Sequence, residues 1–508
     1  MEATPHAPRN ERAVAPTTII VGSGISGLAA AIVLARHGRK PLVLEAHNVP
    51  GGCMQMFQRR APDGTMCRFD TGVHYVGSLS AGQLMWRLFR YLGVDVPTQP
   101  MNRECFDRIS LPGGDFCVPV GWDAVGSALK RECPAEGATV GTCIARMKEV
   151  EASLNWHALA PEADGAYDRS LYEVSIGDYL RSVGASPRLR SLLLAQSSLY
   201  GAPSHAAPLA IHAPVVGSAI QGPHYVVGGG EAITHALLER LRDLGGELRT
   251  RSPVVRVLVE GDRAAGIELQ DGSVLHAPEV ILAMHPRAAL GLMPPDAWRG
   301  TLRERLAAAP ECVGLFCVYG VAEGDLDAYA GSNHYLLRDD DPDCFYDPSL
   351  HGPTDAVVNL PPTSPRLFSA MGAARMEWFE RWHGTRTPRR DADYRALKQQ
   401  LTDNIMATVR HRMPGLRLQV VDAATPLTIR DYARYPGGGI YGLQPGMSAQ
   451  GRNGVRRRTR YAGLYVTGAG TGAPGILGAC VTGFAVAGTM LGTDALIREV
   501  RSMTDAPA

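Results

Sequence analysis

The chain has 508 residues, 45% of them hydrophobic and 20% charged, a length that calls for two or three domains and a composition that excludes an extended disordered protein. Lys and Arg number 51 against 50 Asp and Glu, so a net charge of +1 gives no whole-molecule field to recruit nucleic acid, and function has to reside in a site. The 10 cysteines show no CxxC pair and no His/Cys cluster at zinc spacing, and nothing at the N-terminus reads as a signal peptide. No metal is expected, and a reduced cytoplasmic protein is the simplest expectation.

Residues 1–15, Pro/Ala-rich and charged, read as a loose leader. A β-branched run, Thr17 to Val21, then predicts a buried parallel strand. It turns through Gly22, Gly24 and Gly27 into an Ala/Leu-rich helix ending near Gly38. A second apolar run, Leu42 to Leu44, ends on Glu45. This order has a mechanical logic: Gly22 for the tight turn, Gly24 for close approach of a pyrophosphate, Gly27 for packing helix on strand. The first helical N–H groups, at Ile25 and Ser26, favour the phosphates, and Glu45, followed by Ala46, accepts from ribose hydroxyls. Gly51 and Gly52 in "VPGGC" allow the chain to pass the diphosphate closely, which makes the unit look like an FAD site more than a nicotinamide site.

Further along, Tyr225 to Pro286 reads as a glycine turn, an amphipathic helix, hairpins at "EGDR" and "QDGS", and a return strand, Val280 to Ala283. Ile233 stands where a second nicotinamide fingerprint needs its third glycine, so no separate NAD(P) module is visible, and an external electron donor or acceptor is implied. The stretch from Ala462 to Gly492 is uncharged, but its glycines and proline predict a buried loop and core helix in place of a membrane span. Gly468, Gly470, Gly475, Ile476 and Leu477 in that loop would bring backbone N–H groups to the flavin end, or else serve close helix packing alone.

At "FDTGVHYVG" (Phe69 to Gly77), at Ala195 to Gly230 and at Thr425 to Leu443, the chain resembles the phytoene desaturase and retinol saturase group of FAD-dependent oxidoreductases, closest in motif to bacterial retinol saturase-like proteins. The resemblance spans about Pro16 to Gly492. It implies an α/β fold: a Rossmann-like FAD domain of the amine oxidase and phytoene desaturase type from residues 16–77, 225–286 and 425–500, with Val254 in its cofactor set. An α+β substrate domain follows from 78–224 and 287–424, and 501–508 form a tail. It also implies an apolar isoprenoid or polyene substrate, saturated by hydride transfer through flavin N5. A desaturase, a polyene cis-trans isomerase and a lipid carrier remain as alternatives. Saturation needs a proton donor, and Tyr441, His212, Tyr75 and His74 are the candidates in the matching stretches.

Weaker features complete the reading. The basic run Arg452 to Arg460 is a solvated loop or a contact for anionic lipid headgroups, the basis for peripheral membrane contact at the inner face. "RDDDPDCFYDP" reads as an acidic loop without EF-hand spacing, and "MEWFERWHG" as an aromatic segment packed on the substrate domain or dipping into a membrane. Cys53 is expected to be a small packing residue.

Overall fold

The computed structural model describes residues 15–160, 169–341, 343–364, 366–387, 389–446 and 454–504. Thr18–Val21 forms the central strand of a five-stranded sheet, with Glu279–Ala283 and Leu464–Thr467 on one side and Pro41–Leu44 and Glu247–Arg249 on the other. Every pairing in it is parallel. A parallel sheet is covered on both faces, which is why Thr18–Val21, Pro41–Leu44 and Val280 to Ala283 read as apolar runs.

The helix Ile25–Arg36 is buried from Ile25 through Ala35, a helix apolar all round because it is packed all round. It lies against the helices Gly475–Leu491 and Gly229–Asp243. At Gly483 an added Cβ would collide with the carbonyl of Ser26, so the small residues of the uncharged C-terminal stretch do serve close packing. Among the described residues no helix is long and apolar enough to cross a membrane. The helix Leu84–Leu92 shares this core through Met85, Leu88 and Tyr91.

A second, seven-stranded sheet runs in the order Leu416–Ala424, Gly314–Gly324, Leu367–Ala374, Ala356–Asn359, Asn333–Leu336, Asp107–Leu111, Gly114–Val118. All its pairings are antiparallel except Asn333–Leu336 with Asp107–Leu111. The chain enters this sheet twice, before and after the Gly229–Asp243 helix. Both hairpins expected at "EGDR" and "QDGS" form, pairing Val254–Glu260 with Arg263–Leu269 and Arg263–Leu269 with Val274–His276.

One expectation is corrected here. Cys105 and Cys117 are disulfide-bonded, with Cα atoms 4.7 Å apart. The hairpin register that opposes Asp107 to Val118 brings them together, and a spacing of 12 residues gave no hint of it. The inference from unpaired thiols to a reducing compartment therefore does not carry over.

The weaker features resolve as follows. Met376–Trp382 is a short 3-10 helix whose Phe379 and Trp382 are buried against Tyr394, so this segment packs on the protein. In the acidic loop Arg338 holds Asp347 and Arg188 holds Asp340, and no group of acids, His or Cys among the described residues could hold a metal ion. Arg452 and Asn453 of the basic run lie outside the described residues, as do most of the leader and residues 505–508. Arg460 pairs with Asp296, and Arg458 donates to the carbonyl of Thr489.

Candidate active site

The central strands of the parallel sheet end at a cavity of about 970 Å³ that continues onto the second sheet. At its first end the chain leaves Thr18–Val21 through Gly22, held at φ +109°, where any Cβ would collide with the Ala283 carbonyl. Gly24 begins the helix without a side-chain cap, so the N–H groups at Ile25 and Ser26 face the cavity unclaimed. Nothing lies within 4 Å of a Cβ built on Gly24. Gly27 does not line the cavity: it sits over the Gly22 carbonyl and the Ala283 methyl, where no side chain fits.

Gly51 and Gly52 take positive φ, and a Cβ on Gly52 would stand 3.2 Å from the Gly24 Cα, so the two glycine turns abut. Ser23 joins them: its Oγ accepts from Gly51 N at 3.1 Å and donates to Glu45 Oε2 at 2.6 Å. Glu45 also accepts from Ser23 N at 3.1 Å and from His47 N at 2.8 Å. Ala46 and Val254 line the same end. Gly468 and Gly470 line the cavity as well, with Gly475, Ile476 and Leu477 at the uncapped start of the Gly475–Leu491 helix. Two helix N-termini thus present free N–H groups to one space, and their dipoles favour an anionic occupant.

Beyond these turns one part of the cavity wall is apolar, with Leu199, Val215, Leu315, Phe345, Val357 and Met371, and another part is charged, with Arg59, Arg395, Lys398 and Asp422. The "FDTGVHYVG" stretch links the two regions. Asp70 accepts from Gly230 N at 2.8 Å at the start of the Gly229–Asp243 helix, and Thr71 Oγ1 donates to the carbonyls of Cys53 and Gln55 at 3.0 and 2.9 Å. Gly72 and Gly77 lie where a Cβ would crowd the Cys53 and Ser218 carbonyls. With both ends pinned, His74 and Tyr75 are turned to the cavity. Burial lowers His74 to about 4, so its imidazole is neutral at pH 7 and is no ready acid. Cys53 lines the cavity beside Tyr435 and is not a core packing residue.

Tyr441 also lines the cavity, with its N–H on Cys312 Sγ at 3.0 Å. Its loop hangs on Glu311, which accepts from Gly437 N at 3.0 Å, from Gly439 N at 3.3 Å and from Arg287 Nη1 at 3.1 Å. Burial holds the Tyr441, Tyr75 and Tyr335 phenols far into their neutral form. His212 is placed elsewhere. It is buried in the Leu209–Ile220 helix within the second core, Nδ1 3.1 Å from the Tyr200 hydroxyl, and it does not line the cavity; on that geometry it is withdrawn as a proton donor.

Glu311, His285, Tyr335 and Tyr435 also belong to the site and carry no motif in the sequence. His285 lies two residues past the strand that supports Gly22, and that position after "ILAM" is its signal in the sequence. The others are joined to the site only through the fold.

A parallel sheet, glycine turns abutting under two helix starts, and an apolar chamber continuing from them define an FAD-dependent oxidoreductase. The family model described as "Flavin containing amine oxidoreductase" matches residues 25–304, more than half of the chain. The chain belongs to that family, and its cofactor is FAD. It is 26% identical to an all-trans-retinol 13,14-reductase of Danio rerio, over 93% of this chain and 85% of that protein. It is also 26% identical to a phytoene desaturase (neurosporene-forming) of Rhodobacter capsulatus, over 91% of each. An oxidoreductase structure from Methanosarcina mazei shares the fold, with a TM-score of 0.63 at 14% identity, covering 92% of this chain and 99% of that one.

Proposed function

We propose that the protein saturates one carbon-carbon double bond of an apolar isoprenoid or polyene. The observation that carries this is the continuity of the glycine-lined cavity with a wall that carries Leu199, Val215, Leu315, Phe345, Val357 and Met371 and the phenols of Tyr75, Tyr335 and Tyr441. The resemblance to a retinol reductase supports the direction, and the resemblance to a phytoene desaturase supports a second reading, dehydrogenation of the same class of substrate. In this reading 16–77, 225–286 and 425–500 are the FAD portion, and 78–224 and 287–424 the substrate portion.

The cradle fits the cofactor. Open space before Gly24, the apposed Gly51 and Gly52 and the two uncapped helix starts suit a diphosphate, Glu45 suits a ribose, and Gly468, Gly470 and Gly475–Leu477 suit the ring system. Bound and reduced, FAD supplies a hydride. The apolar wall orients the polyene and excludes water, and Tyr75 and Tyr441 offer O–H groups for the accompanying proton. All-trans-retinol given to the reduced protein is expected to yield a product two hydrogens heavier by mass spectrometry. A product two hydrogens lighter, formed with oxidised protein and an acceptor, would favour the desaturase.

Peripheral contact of a cytoplasmic enzyme with the membrane and an external electron donor belong to the same reading. The exposed Arg456 beside Arg458 and Arg460 supports the first, and the absence of a nicotinamide fingerprint at Ile233 the second. Co-sedimentation with anionic vesicles is expected to weaken in Arg456→Gln/Arg458→Gln; binding equal to the parent counts against the contact.

A further inference from the structure

Behind the tyrosines of the chamber lies a carboxyl group that does not itself line it. Asp107 starts the Asp107–Leu111 strand and is fully buried. Gln196 Nε2 donates to its Oδ2 at 2.5 Å, Asn333 Nδ2 to its Oδ1 at 2.7 Å, and the Tyr75 hydroxyl reaches Oδ2 at 3.4 Å. The Tyr335 hydroxyl lies beside both Asp107 and Tyr75. All these partners are uncharged. Burial away from any positive charge weakens the carboxylate relative to the carboxylic acid. Its proton affinity is accordingly raised to about 6, with desolvation as the leading cause and the Asn333, Gln196, Tyr75 and Tyr335 hydrogen bonds opposing it.

The register across the sheet extends this site. Asp107 stands opposite Asn333, Asn333 opposite Asn359, and Asn359 opposite Ser369, a buried polar row over four strands. The row ends at a second, small cavity of about 70 Å³, walled by Asn359, Ser369, Asp70 and Tyr225 and bordered by exposed Arg68 and Gly228. That is ample room for water. The Tyr225 hydroxyl is buried without a hydrogen-bond partner and lies within the field of Asp107. Tyr75, Tyr335 and Tyr225 are the titratable groups facing Asp107, with Tyr441 beyond the first two. A chamber that must receive one proton per turnover thus has an acid behind its wall and a pocket with room for water behind the acid.

We propose that Asp107, acting through Tyr75, delivers the proton of the reaction from the small cavity to the substrate chamber. This rests on the saturase reading above. Saturation forms two C–H bonds: the hydride from reduced FAD brings one hydrogen with both electrons, and the second hydrogen arrives as a bare proton. That proton leaves the Tyr75 oxygen as the Asp107 carboxyl proton replaces it, so no phenolate accumulates. Asp107 is left as carboxylate and is reprotonated by way of the small cavity.

The test uses FAD-loaded, chemically reduced protein mixed anaerobically with all-trans-retinol in a stopped-flow instrument from pH 5 to 8. For the parent, flavin reoxidation is expected to be fastest below about pH 6 and to fall about tenfold per unit above it, because the protonated acid is required. Asp107→Asn is expected to retain FAD, to slow by about a hundredfold, and to lose the pH dependence. Tyr75→Phe, which keeps the ring and spares the carboxyl, is expected to slow equally. An Asp107→Asn rate and pH profile equal to the parent's overturns the proposal. Infrared titration of both proteins without substrate gives an independent readout: burial also raises Asp70 to about 6 and Glu151 to about 7 in both proteins, so the carboxylic acid carbonyl band of Asp107, titrating near pH 6, is expected in the parent-minus-Asp107→Asn difference spectrum. Failure of the parent to be reoxidised at any pH would instead strike the saturase reading, and the absence of that band from the infrared difference would then still overturn the role of Asp107.

Discussion

Gly24→Val is expected to fold like the parent and to lose FAD, with Kd rising at least about a hundredfold, roughly 2.7 kcal/mol. Two observations set this outcome. Gly24 has φ −64°, which any residue adopts, and nothing lies within 4 Å of its Cβ position, so the polypeptide itself tolerates a side chain. That open position lies before the uncapped N–H groups of Ile25 and Ser26, where a diphosphate has to approach the backbone. Gly27→Val is its opposite. There a side chain meets the Gly22 carbonyl and the Ala283 methyl, and the expected result is a loss of about 3 kcal/mol or more of stability, or no folded protein. Urea denaturation and flavin titration of the two variants separate an effect on the ligand from an effect on packing. Equal destabilisation by both would contradict this assignment of the two glycines.

Glu311→Ala is expected to cost about 3–5 kcal/mol and to disorder the Tyr441 loop. Glu311 is buried, and its carboxylate accepts from the Arg287 guanidinium and from the backbone N–H groups of Gly437 and Gly439. Removing it leaves a partly buried cation and two backbone donors without their acceptor, the situation in which a broken buried pair is most costly. His285 Nε2 stands 3.5 Å from Glu311, but burial and the Arg287 charge lower that ring to about 4. It is neutral at pH 7 and cannot substitute as counter-ion. Glu311→Gln keeps one acceptor oxygen and is expected to lose about half as much. Denaturation midpoints at pH 7 check both, and a Glu311→Ala midpoint equal to the parent's would show that the loop does not depend on this carboxylate.

What could be read from the sequence and what could not divide along one physical line. The unit from Thr18 to Glu45 was legible because strand, positive-φ glycine, small-residue helix and second strand are consecutive, and each is dictated by its own neighbours. Tyr75 and Tyr441 were found because they sit in glycine-rich stretches whose composition marks tight loops. Asp107 was not, since its environment comes from residues 75, 196, 333 and 335, joined only by the sheet register. Glu311 escaped for the same reason: its acceptor role belongs to a loop 126 residues away. His212 misled because it sits in a stretch of the right resemblance, while the helix turns it toward Tyr200 and the core. The Cys105–Cys117 bond likewise follows from a hairpin register and not from a motif.

The central claim, that reduced FAD in this chamber passes its electrons to an apolar conjugated alkene, is tested most directly by an anaerobic absorption time course. FAD-loaded, chemically reduced protein is mixed with all-trans-retinol, and polyene and flavin bands are followed together. The polyene absorption is expected to fall or shift to the blue while oxidised flavin appears in equal amount. A flavin that stays fully reduced, with the retinol spectrum unchanged or altered only in its isomer bands, would contradict that claim.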